Sequence, residues 1–200
     1  LIHPNILQDV NGQYPMMESG VNGTTGRDRY TVFSLWDTYR NLHQLLTLVY
    51  PEKQDDMVNS MIEMYREWGW LPKWELYGRE TFTMEGDPAI PVIVDSWRKG
   101  LRNFDMDLAY EAMKKSATLK GSENRMRPDI DPYLERGYIP LGIHQADNSG
   151  DNSVSHALEY YVADNALSWL AREKGDKDFA RQLEERSKGY RHYYSKESGT

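Results

Sequence analysis

A carboxylate, a guanidinium and an indole fall within five residues of one another in the stretch Ser34-Leu35-Trp36-Asp37-Thr38-Tyr39-Arg40. On a helix, Trp36 and Arg40 stand four apart and Asp37 and Arg40 three apart, so all three project from neighbouring faces of one turn. Such a set suits a sugar: Asp and Arg hydrogen-bond vicinal hydroxyls while an indole face covers the C–H side of the ring. The same residues also have a structural reading, in which Ser34-x-x-Asp37 is a capping box and Trp36 is core.

Other stretches carry weaker chemistry. Asp55-Asp56-x-x-Asn59 resembles the metal-binding Asp-Asp box of isoprenoid synthases, but carboxylates in a first helical turn are favoured by the macrodipole anyway. The run Asp147-Asn148-Ser149-Gly150-Asp151-Asn152 has Asp, Ser and Asp at positions 1, 3 and 5 of a calcium loop, yet lacks Gly at 6 and an acid at 12. Asp95 sits between apolar neighbours and must find a donor. Asn22-Gly23-Thr24 is a glycosylation sequon. With no cysteine, the chain holds neither disulfides nor thiolate metal sites, so a metal would need oxygen ligands or the 5 histidines.

The elements that must position these groups read as helices. Apolar positions Leu35, Tyr39, Leu42, Leu45, Leu46 and Val49 recur at three and four from Thr31 to Tyr50, where Pro51 ends the segment. A second helix runs from there to about Trp68 on Met57, Met61, Ile62, Met64 and Tyr65, with Gly69 as a stop, and the short link predicts antiparallel neighbours. Gly86-Asp87-Pro88 opens a third, Asp87 as N-cap and Pro88 at N1, closed by Gly100. Asp105 caps a fourth to Thr118, a fifth spans Ser153 or Ser155 to Glu173, and a sixth starts at Asp176. Residues 1–29, 70–86 and 119–152 read as irregular, and no strand pattern competes.

The composition narrows the partners. At 200 residues the chain is near one domain, and 39% hydrophobic residues with 6 Trp and 14 Tyr supply a core. A formal net charge of -7 without a basic run argues against nucleic acid and anionic membranes. No apolar run approaches the roughly 18–20 residues that span a bilayer. The start, Leu1-Ile2-His3-Pro4-Asn5, lacks Met and a signal-peptide core, so the chain reads as an internal piece of something longer.

Four segments in order resemble one family: Ser34 to Arg40; Leu71-Pro72-Lys73-Trp74 with Glu80; Gly86-Asp87-Pro88-Ala89 leading to Asp95 and Lys99-Gly100; and Gly137-Tyr138-Ile139-Pro140 followed by Ser153-Val154-Ser155 and Leu158-Glu159-Tyr160. Together they are similar to the catalytic module of glycoside hydrolase family 92, the calcium-dependent exo-acting α-mannosidases. The resemblance implies an all-α fold, about half of an (α/α)6 toroid occupying residues 1–200 with 1–29 as an irregular lead-in and the remaining helices beyond Thr200. It implies inverting removal of terminal mannose from a mannose-containing oligosaccharide or glycoprotein glycan, with acid and base roughly 6.5–9.5 Å apart.

Carried over by position, Asp37 matches the family's Trp-Asp-Thr aspartate as a hydroxyl ligand, and Trp74 matches a pocket aromatic. Trp36, Arg40, Asp87 and Glu80 complete the implied substrate set. Ser153, Ser155 and Glu159 belong to a signature read as mainly structural. Where the family has two adjacent acids, this chain has Ala163-Asp164. The family's Glu-Gly-Asn acid and Asn-Asp-Asp-x-Gly-Gln-Met-Ser base segments do not occur here and are expected downstream of Thr200, so none of Glu80, Glu85 or Glu159 is assigned as acid or base. Ca2+ is implied, its ligands mostly outside this chain, as are the missing C-terminal half of the domain as partner and an exported location. By itself the chain is expected to be inactive. The rival is a non-catalytic carbohydrate-binding or interaction module.

Overall fold

A computed structural model describes residues 4–143, 145–146 and 150–199 of the chain. Thr200, beyond which the remaining helices and the acid and base segments are expected, lies outside the described residues. By internal packing the chain forms two compact units, residues 1–84 with 88–113, and residues 85–87 with 114–200.

In the first unit, short strands alternate with helices: β1 (Asn5–Ile6), β2 (Gln13–Pro15), β3 (Asn22–Thr24), β4 (Tyr30–Thr31), β5 (Phe33–Ser34), α1 (Leu35–Thr38), α2 (Leu42–Val49), α3 (Pro51–Trp68), β6 (Trp74–Leu76), β7 (Arg79–Glu80), α4 (Ala89–Arg98) and the start of α5 (Met106–Thr118). Pro51 opens α3 at its first turn, and Gly69, at φ 89°, closes it in the left-handed region that a Cβ disfavours. Helices α2, α3 and α4 pack together over Val58, Met61, Ile62, Ile90 and Ile93, all at most 1% exposed. Each such side chain stabilises the unit by about 1.5–3 kcal/mol. Arg29 pins the N-terminal segment to α3: its guanidinium donates to Glu63 (3.1 Å) and Glu67 (2.9 Å), and Glu67 also accepts the Tyr14 hydroxyl and the Met17 N–H.

The second unit holds the end of α5, α6 (Ile130–Arg136), β8 (Gln145–Ala146), β9 (Gly150–Asp151), α7 (Ser153–Glu173), α8 (Lys177–Arg186) and a 3₁₀ turn (Ser187–Tyr193). Helices α7 and α8 pack side by side. An aromatic cluster of Tyr133, Tyr160 and Tyr161 with Ile130, Ile139 and Ala157 fills the space between α6 and α7.

The expectation of an all-α half-toroid is overturned: the described residues form four small antiparallel sheets, β1-β4, β2-β3, β5-β6-β7 and β8-β9. Strands of two or three residues are too short to show a period of two, which is why 1–29 and 70–86 read as irregular. The helix expected from Thr31 is also broken. Tyr30–Thr31 and Phe33–Ser34 are drawn into strands, Val32 between them takes φ 63°, and α1 is a single turn separated from α2 by residues 39–41. That break shifts the helical phase, so α2 buries His43, Leu46 and Thr47 while Leu45 and Val49 face solvent. Helix α6 lies in a stretch expected to be irregular; the calcium-loop reading at Asp147–Asn152 falls on residues 147–149, outside those described.

Candidate functional site

The site is built on β5-β6-β7. Its register pairs Phe33 with Glu75, Ser34 with Trp74, Glu75 with Glu80 and Leu76 with Arg79. Side chains alternate across a pleated sheet, so Phe33, Glu75 and Glu80 point inward and are buried, while Ser34, Trp74 and Thr81 line the other face. Thr81 closes that row: its N–H and hydroxyl both donate to the Trp74 carbonyl, at 3.2 and 2.8 Å. β6 and β7 join through Tyr77-Gly78, both at positive φ (52° and 82°), the two-residue turn whose twist suits a hairpin. Because its first residue is Tyr rather than Asn or Asp, the turn carries only half its sequence signal.

Two buried carboxylates hold this sheet. Glu75 accepts the Thr31 hydroxyl at 2.7 Å, the Val32 N–H at 2.9 Å and the Gly78 N–H at 2.6 Å. Burial pushes its pKa upward, against the opposing effect of those donors. Glu80 accepts three main-chain N–H groups, from Lys73 (2.8 Å), Trp74 (2.9 Å) and Phe82 (2.8 Å). Its carboxylate is thus engaged in fixing the backbone that carries Trp74.

The sheet delivers the polypeptide to the Ser34–Arg40 turn, where the Leu35 N–H donates to the Lys73 carbonyl at 3.2 Å. Ser34 makes no side-chain cap bond, so the capping-box reading fails. Asp37 is exposed and has no hydrogen bond or ion pair among the described residues. Arg40 does not pair with it: its guanidinium stacks 4.4 Å over the Trp36 ring and 4.9 Å over Tyr39. The indole N–H groups of Trp36 and Trp74 are shielded from water and donate to nothing among the described residues. A shielded donor without an acceptor costs about 1–3 kcal/mol. Trp36, Asp37 and Arg40 thus lie on the turn that follows Ser34, and Ser34 is the strand partner of Trp74, whose backbone Glu80 fixes.

Asp87 has another role and another place. It belongs to the second unit and does not cap α4, whose N-cap is Pro88. Its Oδ2 accepts the Ser116 hydroxyl (2.7 Å) and Arg127 Nε (3.0 Å). Arg127, fully buried, donates through Nη1 to Asp164 at 2.8 Å, and Asp164 also accepts the Tyr133 hydroxyl at 2.8 Å and lies 3.0 Å from Arg186. Burial opposes the Arg127 charge, but Asp164 and Asp87 hold the guanidinium protonated beyond its ordinary range. The neighbouring Gly86 stands at φ 83° with a Cβ position only 2.5 Å from Glu159 Cβ, and its N–H meets His156 Nδ1 at 3.4 Å. The Gly-Asp and Ser-x-Ser motifs thus meet in one unit and hold it together, Asp164 included.

Asp95 finds its donor in Lys99, 2.6 Å away. Asp55 and Asp56 are pushed upward in pKa, chiefly by burial, and no group of three or more acids or histidines among the described residues could hold a metal. Sequence reasoning passed over Glu75 and His43. A usable signal exists for His43, a polar residue three before Leu46 on an apolar segment, where burial demands partners.

The profile of the glycosyl hydrolase family 92 catalytic domain matches residues 1–200. An α-mannosidase of family GH92 from Bacteroides thetaiotaomicron is 35% identical, with a TM-score of 0.85 over 99% of this chain and 26% of its own. The same enzyme solved in complex with mannoimidazole gives a TM-score of 0.86. A GH92 inverting mannosidase from the same organism is 29% identical, with a TM-score of 0.86 over 100% of this chain and 27% of its own. A protein of Arthroderma benhamiae described as an uncharacterized secreted glycosidase is 30% identical over 125 residues, 60% of this chain and 16% of that protein. The chain thus spans about a quarter of the length of these solved structures. With that profile covering every residue, the chain belongs to glycosyl hydrolase family 92, within its catalytic domain.

Proposed function

We propose that the polypeptide carrying this chain is an exo-α-mannosidase acting with inversion on terminal mannose, and that these residues bind the sugar without performing the chemistry. The observation that carries the reading is Asp37: an exposed carboxylate without a partner among the described residues, on the turn that also carries Trp36 and Arg40, in a family whose solved member is seen in complex with mannoimidazole. Asp37 accepts the protons of two vicinal hydroxyls, and the half-buried Trp74 and Trp36 rings, the latter with one face already covered by Arg40, wall the C–H side of the sugar. Glu80 positions Trp74 and leaves the sugar to others.

The acid and base segments implied by the family do not occur between Leu1 and Thr200, so the chain on its own binds without turnover. No group of three or more acids or histidines among the described residues could hold a metal ion, in keeping with calcium ligands supplied mostly from outside this chain. No part of the binding scheme runs through one. Export of the intact protein accords with the secreted relative.

The test is Asp37→Asn in the complete polypeptide, assayed on an aryl α-mannoside and by mannoimidazole binding. The variant keeps size and loses charge; kcat/KM is expected to fall about 100-fold, roughly 2.7 kcal/mol, with an unchanged melt. A wild-type level of both activity and inhibitor affinity would remove Asp37 from the site. Cleavage of α-glucosides in preference to α-mannosides would keep hydrolysis and change the sugar.

A further inference from the structure

Beneath the Asp37 turn runs a chain of buried polar side chains from four helices. Thr38 at the end of α1, His43 on α2, Gln54 on α3 and Ser96 on α4 are 8%, 1%, 0% and 1% exposed. Their proton directions follow from one end. Ser96 Oγ lies 2.8 Å from the Val92 carbonyl, which only accepts, so the single Ser96 proton goes there. Gln54 Nε2, 3.1 Å from Ser96 Oγ, must then donate to it; a flipped amide would set two oxygens face to face. Gln54 Oε1 therefore faces His43 Nδ1, 3.0 Å away, and accepts from it. Burial drives the His43 pKa down to about 4, so the ring is neutral, protonated on Nδ1 and bare on Nε2. That bare nitrogen stands 3.0 Å from Thr38 Oγ1. Thr38 has one proton and two acceptors in reach, Nε2 and the Ser34 carbonyl at 3.2 Å. Only the first choice leaves no buried ring nitrogen unpaired.

We propose that His43 is a positioning residue for the sugar-binding turn: by accepting the Thr38 hydroxyl proton it anchors the residue next to Asp37 to α2, α3 and α4, and so sets where the Asp37 carboxylate stands. The functional half of this claim rests on the mannosidase reading above; the geometric half does not. Four variants of the complete polypeptide test it: Thr38→Val, which removes the hydroxyl at constant shape, Thr38→Ser, which restores it, His43→Leu, and Thr47→Val. The last loses a buried hydroxyl bonded at 2.7 Å to the His43 carbonyl and lies outside the chain of bonds.

The expected result is a KM for an aryl α-mannoside and a Kd for mannoimidazole raised about tenfold in Thr38→Val and His43→Leu, and near wild type in Thr38→Ser. Thr47→Val should lower the melting temperature comparably while KM stays within about twofold. Crystal structures of Thr38→Val and wild type should show the Asp37 carboxylate displaced by about 1 Å or more. An unmoved Asp37 overturns the proposal, as does a Thr47→Val effect on KM equal to that of Thr38→Val, which would make the role one of stability alone. Should the wild type neither cleave nor bind α-mannosides, the mannosidase reading falls, and the displacement of Asp37 still decides whether His43 positions the turn.

Discussion

The two units differ in what their motif aspartates do and in which residues stand at positive φ. In the first, Asp37 is left exposed and unengaged, and every non-glycine residue at positive φ among those described is found there: Glu18, Val32, Tyr77, Phe82 and Met84. In the second, Asp87, Arg127 and Asp164 are buried in mutual contact, and each left-handed position among the described residues is a glycine. A buried carboxylate that already holds a guanidinium and a hydroxyl is closed off from solvent, whereas an exposed one without partners among the described residues has its oxygens open to a sugar. Strained backbone persists only where surroundings over-determine it, and such places gather at ligand sites. Of the two motif aspartates, Asp87 is therefore structural, and Asp37 remains the one open to the proposed binding role.

The largest effect should come from the buried charges. Arg127→Met leaves Asp87 without its cation and Asp164 with Arg186 alone, and breaking a buried pair by removing one partner costs about 3–5 kcal/mol. A collapsed melt or insoluble expression is expected. A folded Arg127→Met protein that had lost only mannoside binding would erase the distinction between the units. Asp37→Asn is the mirror case, with a loss of binding and an intact melt.

How far the sequence shows this distinction follows from where the partners lie. Helix α3, bounded by Pro51 and Gly69, and α7 are legible because their signals are local. Asp105 is legible as a cap, and its Oδ1 does accept the Leu108 N–H at 3.1 Å. Asp87 reads as a cap on the same local grounds, since Asp before Pro fits that pattern, but its partner Arg127 is 40 residues away and has no trace in the spacing. The sheet β5-β6-β7 is invisible for a similar reason. It depends on Glu75 reaching back to Thr31 and Val32, and no hydrophobic period records that bond. The stretch Ser34 to Arg40 is recognisable as a set of residue types suited to a sugar. That Arg40 stacks on Trp36 instead of pairing with Asp37, leaving the carboxylate open, is settled by three-dimensional packing.

A smaller effect is expected from pH. The unfolded chain protonates His43 near pH 6.5, the folded one only near 4, so between these values the unfolded state binds the extra proton. Stability of the first unit should therefore fall as pH drops through that window and be fully present above it. Hydrogen exchange of α2, corrected for intrinsic rate, would report the loss, and His43→Gln should flatten it. An unaltered slope in that variant would assign the acid sensitivity to other groups.

The smallest effect tests the strain itself. Phe82 holds φ 57°, its N–H clamped by Glu80 and its ring 6.3 Å from that of Trp68, yet it is 37% exposed. Removing the ring to alanine forfeits the aromatic contact, about 0.5–1.5 kcal/mol, and keeps the left-handed penalty. Glycine forfeits the same contact but releases a penalty of roughly 1–2 kcal/mol. Phe82→Gly should thus be the more stable of the two by about 1 kcal/mol, the reverse of the usual order of alanine over glycine. Paired melts of the two variants decide it. The usual order would mean that the 80–84 loop relaxes once the ring is gone, and the contrast between a strained first unit and an unstrained second one would then rest on the two aspartates alone.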